Sequence, residues 1–218
     1  MTQNQRQSNI ELLRCFAMLC IIVYHLCLFA LGGVSTGTKL YQALQIPLHI
    51  GVPLFVLISG YFGIRFSLKG LMRLCSKGYF YFVPFAVIPM ILTHSGGVKD
   101  VLKSVFIFGF DAQWYLNTYL YLFLFSPIIN SYLENITKYQ RLYLLAILTF
   151  MSVYIGNVTE GDISLVEGKN LTNFLLLYTL GNTIRHYQHV INGCAIMKLI
   201  IGCVFLGHLQ KRVDSIAQ

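Results

Sequence analysis

From Ile10 to Gly33 the chain reads IELLRCFAMLCIIVYHLCLFALGG, an apolar run of membrane-crossing length that nevertheless carries Arg14 and His25. In lipid such a run can satisfy its own backbone only as a helix. Eleven residues on a helix turn through about 1100° and rise about 16 Å, so Arg14 and His25 return to one face, three turns apart. An ionisable side chain within a span is costly and marks a protein interior or a wet cavity, and two on one face suggest a lined path. Each also has a plain reading. Arg14 stands one turn inside the run, where it can snorkel to the headgroups or pair with Glu11. His25 lies two-thirds of the way across and is either a hydrogen-bonded packing residue or a chemical one.

The rest of the chain supports a membrane setting. Hydrophobic residues make up 56% and charged residues 11%, well below the charged share of a soluble domain. The first run lacks the cleavage pattern of a removable signal peptide. A formal charge of +8 is spread between apolar runs, which argues against nucleic acid and for lipid headgroups or an anionic substrate. The six cysteines show no metal-ligand spacing and read as small apolar filler.

The expected fold is all-α, a polytopic bundle of about seven spans in a single domain over 1–218. The spans are drawn at 10–31, 46–63, 79–94, 113–133, 141–158, 171–187 and 193–209. With the N-terminus in the cytoplasm, ten Lys and Arg fall inside and six outside, which favours that orientation. His49 then stands near the outer entrance of the second span, Pro53 inside it, and Ser59-Gly60-Tyr61 near its inner end, as a packing notch or a substrate-contacting bend. Lys69, Arg73 and Lys77 recur every four residues, forming one basic stripe at the cytoplasmic surface, for anionic lipid or a phosphorylated ligand. Trp114 and Tyr115 mark the outer boundary of the fourth span, with Asn117 one turn further in. The Asn-x-Thr sequons at Asn135, Asn157 and Asn170 are expected to be fortuitous.

Taken together, these pieces resemble the membrane-bound acyltransferase 3 family, which includes bacterial O-acetyltransferases of surface polysaccharides. The resemblance rests on Arg14 and His25 separated by ten residues, HIGVPLFVLISGYF, the basic run with Pro84 after it, WYLNTYLYLFLFSP and LYTLGNTIR. It implies an enzyme of the bacterial cytoplasmic membrane that moves an acyl group, most often acetyl from acetyl-CoA, to a hydroxyl of a glycan or lipid-linked sugar. His25 and Arg14 would be the catalytic pair, and no bound cofactor or metal is expected. Family members carry about ten spans, so the expectation is a chain truncated at its C-terminus after HLQKRVDSIAQ.

The chemistry agrees with the residues. A thioester donor needs a base for the incoming hydroxyl, and imidazole titrates near neutrality. Arg14 would hold the donor's phosphates or orient its thioester carbonyl. Lys69, Arg73 and Lys77 would receive acyl-CoA, while His49, Ser59, Tyr61, Trp114, Tyr115 and Asn117 would lie on the acceptor side. Acetylation of His25 itself, with ping-pong kinetics, is a second route. The rival readings are a permease, in which His25, His49 and Arg14 line a path, and an inactive truncated remnant.

Overall fold

The computed structural model describes residues 8–31, 48–92, 114–152 and 170–187. They form six helices: α1 (Ser8–Leu31), α2 (Gly51–Phe62), α3 (Leu68–Leu92), α4 (Trp114–Asn135), α5 (Lys138–Thr149) and α6 (Leu171–His186). No strand occurs among the described residues, so the chain is all-helical as expected. One helix, over Ile10–Cys27, is by itself long and apolar enough to cross a membrane, and Gly51–Phe62 is a shorter apolar helix. The count of seven spans is therefore not reached among the described residues. The seventh run, 193–209, lies outside them, as does Asn157.

The helix boundaries follow from local chemistry. Pro53 falls in the first turn of α2, where a missing N–H costs nothing. That helix ends at Gly63, whose φ of 73° suits glycine and whose N–H donates to Ser59 O at 3.0 Å. Pro127 lies inside α4 and leaves the carbonyl of Phe123 without its usual donor; Ser126 Oγ donates to that oxygen at 2.7 Å. Thr137 and Gln140 form a reciprocal capping box at the start of α5. Asn170 caps α6 by accepting from Asn173 N at 2.9 Å. Asn135 and Thr137 of one sequon, and Asn170 of another, are thus helix-end residues.

The third span and the basic stripe before it are one continuous helix. α3 spans 25 residues, or about 37 Å, and Lys69, Arg73 and Lys77 occupy its first third.

Helix directions alternate. Ala17 and Ile21 of α1 meet Gly51 at the start of α2, whereas Arg14 reaches Phe62 at its end, so α1 and α2 are antiparallel. α2 and α6 are parallel: Val52 and Val56 share one apolar cluster with Leu171 and Phe174, Leu57 and Tyr61 share another with Leu180 and Ile184, and Arg185 near the end of α6 reaches Phe62 at the end of α2. α3 runs against α4, with Gly70 at Phe123 and Gly78 at Leu116. α5 runs against α6, with Arg141 at Asn182 and Ser152 at Asn173. The centre is the α2–α6 seam: a Cβ on Gly60 would overlap the carbonyl of Tyr178, and one on Gly181 the carbonyl of Leu57. Small residues here bring the two backbones into contact.

Candidate functional site

α1 presents Arg14 and His25 differently, although they share a face. The Arg14 guanidinium lies over the Phe62 ring, 5.0 Å from its centroid, a cation–π distance. Its Nη1 is also 3.6 Å from Glu11 Oε1, in a pair 41% and 47% exposed, too open to be worth much. Between Arg14 and His25 the shared face is closed. Ala17 and Ile21 press against Gly51, so tightly that a Cβ there would meet Ile21 Cγ1 at 2.6 Å. Met18 and Ile22, on the side of α1 beside this seam, are exposed.

His25 stands one turn beyond the start of α2, and its side chain is exposed. Its Nδ1 is 2.9 Å from Ile21 O. A carbonyl oxygen only accepts, so the contact places a proton on Nδ1, and in the neutral ring the lone pair is then on Nε2. Tyr24 sits between two histidines, edge-on to His25 at 5.4 Å and tilted against His49 at 4.5 Å between ring centroids.

The six residues expected on the acceptor side do not form one pocket. His49 belongs with Tyr24. Trp114 and Tyr115 pack on Phe174, at 6.4 and 5.8 Å between rings. Tyr115 stacks on Tyr119 at 5.9 Å, and the Tyr119 hydroxyl lies 3.3 Å from Ser59 Oγ, so Ser59 joins that aromatic group. Asn117 is buried nearby on α4. Tyr61 turns away, into the cluster of Leu57, Leu180 and Ile184.

The basic residues Lys69, Arg73 and Lys77 are exposed. The sequence reading separated them from the aromatic group by the thickness of the membrane. In the structure Gly78 packs on Leu116, so Lys77 is level with the start of α4 and the stripe leads along α3 towards Trp114. His25, His49 and Trp114 stand at that same end of the bundle, because α1 runs past the start of α2 and the starts of α2, α4 and α6 cluster around Phe174.

Four polar residues gain a place that the sequence reading did not give them. Arg141 is 3% exposed and donates from Nη1 to Asn182 Oδ1 at 2.7 Å and from Nη2 to Leu133 O. Arg185 donates to Phe62 O at 3.1 Å. Tyr178, wholly buried, donates to Asn130 Oδ1 at 2.6 Å. Arg141 and Arg185 carried only a topological signal in the sequence. Tyr178 and Asn130 are 48 residues apart and carried none as a pair.

Comparison with curated proteins and with solved structures found no match. The family model of the acyltransferase domain, acyltransferase 3, matches residues 7–209, a range that holds all six helices and every candidate site residue, and the chain accordingly belongs to the acyltransferase 3 family.

Proposed function

We propose that this acyltransferase is an integral membrane enzyme that moves an acetyl group from cytosolic acetyl-CoA to a hydroxyl of a cell-surface or lipid-linked glycan. The observation that carries the reading is His25: an imidazole on an apolar helix, exposed, with Nδ1 held by Ile21 O and Nε2 left basic. A backbone bond of this kind selects the tautomer a general base requires.

In the proposed step Nε2 takes the proton of the acceptor hydroxyl as its oxygen attacks the thioester carbonyl. The tetrahedral intermediate collapses with cleavage of the C–S bond. The thiolate leaves and takes the proton from His25, so the protein ends unchanged. Lys69, Arg73 and Lys77 hold the donor's phosphates as point charges or forks, and Arg14 orients the thioester or holds a further phosphate. The stripe spans about 12 Å of α3, running from the Phe62 end towards the end where His25 stands. A donor laid along it with its acyl group foremost leads towards the end of the bundle where His25 stands. The sugar approaches past His49, Trp114 and Tyr115.

A membrane setting is supported by the alternation of helix directions and by the apolar exterior. Leu19, Leu26, Phe80, Leu92 and Ile128 are all more than half exposed, an arrangement costly in water and ordinary against lipid. In this reading the N-terminus is cytoplasmic, the membrane is the bacterial cytoplasmic membrane, and the bundle has about seven spans.

The test is transfer of radiolabelled acetyl from acetyl-CoA to the glycan fraction of membranes holding the wild-type chain or His25→Ala. Loss of the base is expected to lower transfer by about 10²–10⁴-fold with insertion unchanged, since the imidazole packs little. Equal label from the variant removes His25 from the mechanism. Absence of label with both proteins inserted turns attention to the permease and to the inactive remnant.

A further inference from the structure

α3 carries the basic stripe. Most of its described side chains are exposed, and among the described residues it meets α4 through Gly70 and Gly78, which face the tips of Phe123 and Leu116. The turn that precedes α3 is held more firmly than that contact.

That turn is tied from three other helices. Phe62 O accepts from Arg185 at 3.1 Å, while Arg14 of α1 covers the Phe62 ring. Ile64, 8% exposed, has both backbone groups taken by side chains. Its N–H donates to the Tyr178 hydroxyl at 2.9 Å, and its carbonyl accepts from Asn130 Nδ2 at 2.8 Å. The Tyr178 hydroxyl in turn donates to Asn130 Oδ1 at 2.6 Å. These three bonds close a ring through α4, α6 and the turn. Ile64 could have been anchored by apolar packing alone; a buried polar ring adds direction, because each bond tolerates only a narrow range of angles.

We propose that Tyr178 and Asn130 are positioning residues for the acyl donor: their ring of hydrogen bonds on Ile64 sets the direction in which α3 leaves the turn, and with it the line of Lys69, Arg73 and Lys77. This rests on the donor role given to the stripe above. The lever is long. Lys77 is about 12 Å further along α3 than Lys69, so a tilt of about 10° at the turn moves it by about 2 Å, the difference between a charge on a phosphate and a charge beside it.

The experiment compares the full chain, purified in detergent, with Tyr178→Phe and Asn130→Ala. Arg65 is exposed within the same turn, so the rate of tryptic cleavage after it reports how often the turn opens. Acetyl-transfer kinetics with acetyl-CoA give donor KM and kcat separately. Each variant removes two of the three bonds and leaves one buried backbone group of Ile64 without its partner; both are expected to cleave about tenfold faster and to raise donor KM about tenfold, with kcat within about twofold of wild type. Arg185→Ala loosens the turn from an exposed side chain; expected to shift both readouts in the same direction by less, it keeps the test open should the core variants fail to fold. Faster cleavage with an unchanged donor KM overturns the assignment, as does unchanged cleavage, or a fall in kcat alone. A wild-type chain that neither binds nor transfers acetyl from acetyl-CoA overturns it together with the donor reading, and the cleavage rates then still tell whether the ring holds the turn.

Discussion

Two of the helix contacts that are built on glycine among the described residues differ in what the glycine touches. In the α2–α6 seam Gly60 and Gly181 face backbone, the carbonyls of Tyr178 and Leu57. In the α3–α4 strip Gly70 and Gly78 face the ends of side chains, with Phe123 Cζ and Leu116 Cδ2 at 3.1 and 2.8 Å from where a Cβ would be. Backbone in a helix cannot step aside, whereas a leucine tip can turn to another rotamer. The seam is therefore a fixed frame, and the strip an adjustable one. Arg14 and Tyr178 stand against the frame; the basic stripe stands on the adjustable helix.

The contrast can be broken most directly at Gly60. Gly60→Ala is expected to cost ~3 kcal/mol or more, the upper range of overpacking, seen as a large fall in thermal stability in detergent. A variant with wild-type stability would show that the seam can spread. Next in size is Arg141→Ala, which leaves the Leu133 carbonyl and Asn182 without their donor in a buried site. A loss of ~2 kcal/mol is expected, and a negligible change would mean that α5 adds nothing to the frame. Gly78→Ala should fall within ~0.5 kcal/mol of wild type, because Leu116 can yield. A loss as large as that of Gly60→Ala would end the distinction between the two contacts. Smallest in stability is Arg73→Glu, an exposed substitution expected to leave the melting temperature unchanged while raising donor KM several-fold, an effect that weakens as salt rises. An unchanged KM would assign the stripe to anionic lipid.

Much of the frame was legible beforehand. The helical runs were visible because apolar length is a local property, and α1, α2, α4 and α6 lie close to the stretches drawn for them. The start of α3 was less visible: Lys69, Arg73 and Lys77 read as a basic stripe at the cytoplasmic surface ahead of a span beginning at 79, and only the structure joined them to the apolar run after Gly78. The notch at Ser59-Gly60-Tyr61 had a recognisable signal in its small residues, but not its partner, since nothing local marks Tyr178 as the backbone that fills it. For the site, the spacing of Arg14 and His25 correctly indicated a shared face. It could not indicate that Gly51 closes this face between them, because α2 belongs to another part of the chain.

What the sequence determined by itself is whatever depends on neighbours along the chain: helix, helix ends, the basic stripe, the Arg14–His25 pair and the family. Capping at Thr137 and Asn170, and the repair of Pro127 by Ser126, belong to the same class, since each acts within four residues. Tertiary structure alone decided which of these meet. It brought Arg185 and Arg14 together on Phe62, bound Ile64 to Tyr178 and Asn130 across 114 and 66 residues, and set the stripe beside Trp114 instead of opposite it. The physical reason is that hydropathy and spacing specify which face a residue occupies, whereas the neighbour across that face is chosen by how closely two backbones can approach, and here that was settled by Gly51, Gly60 and Gly181.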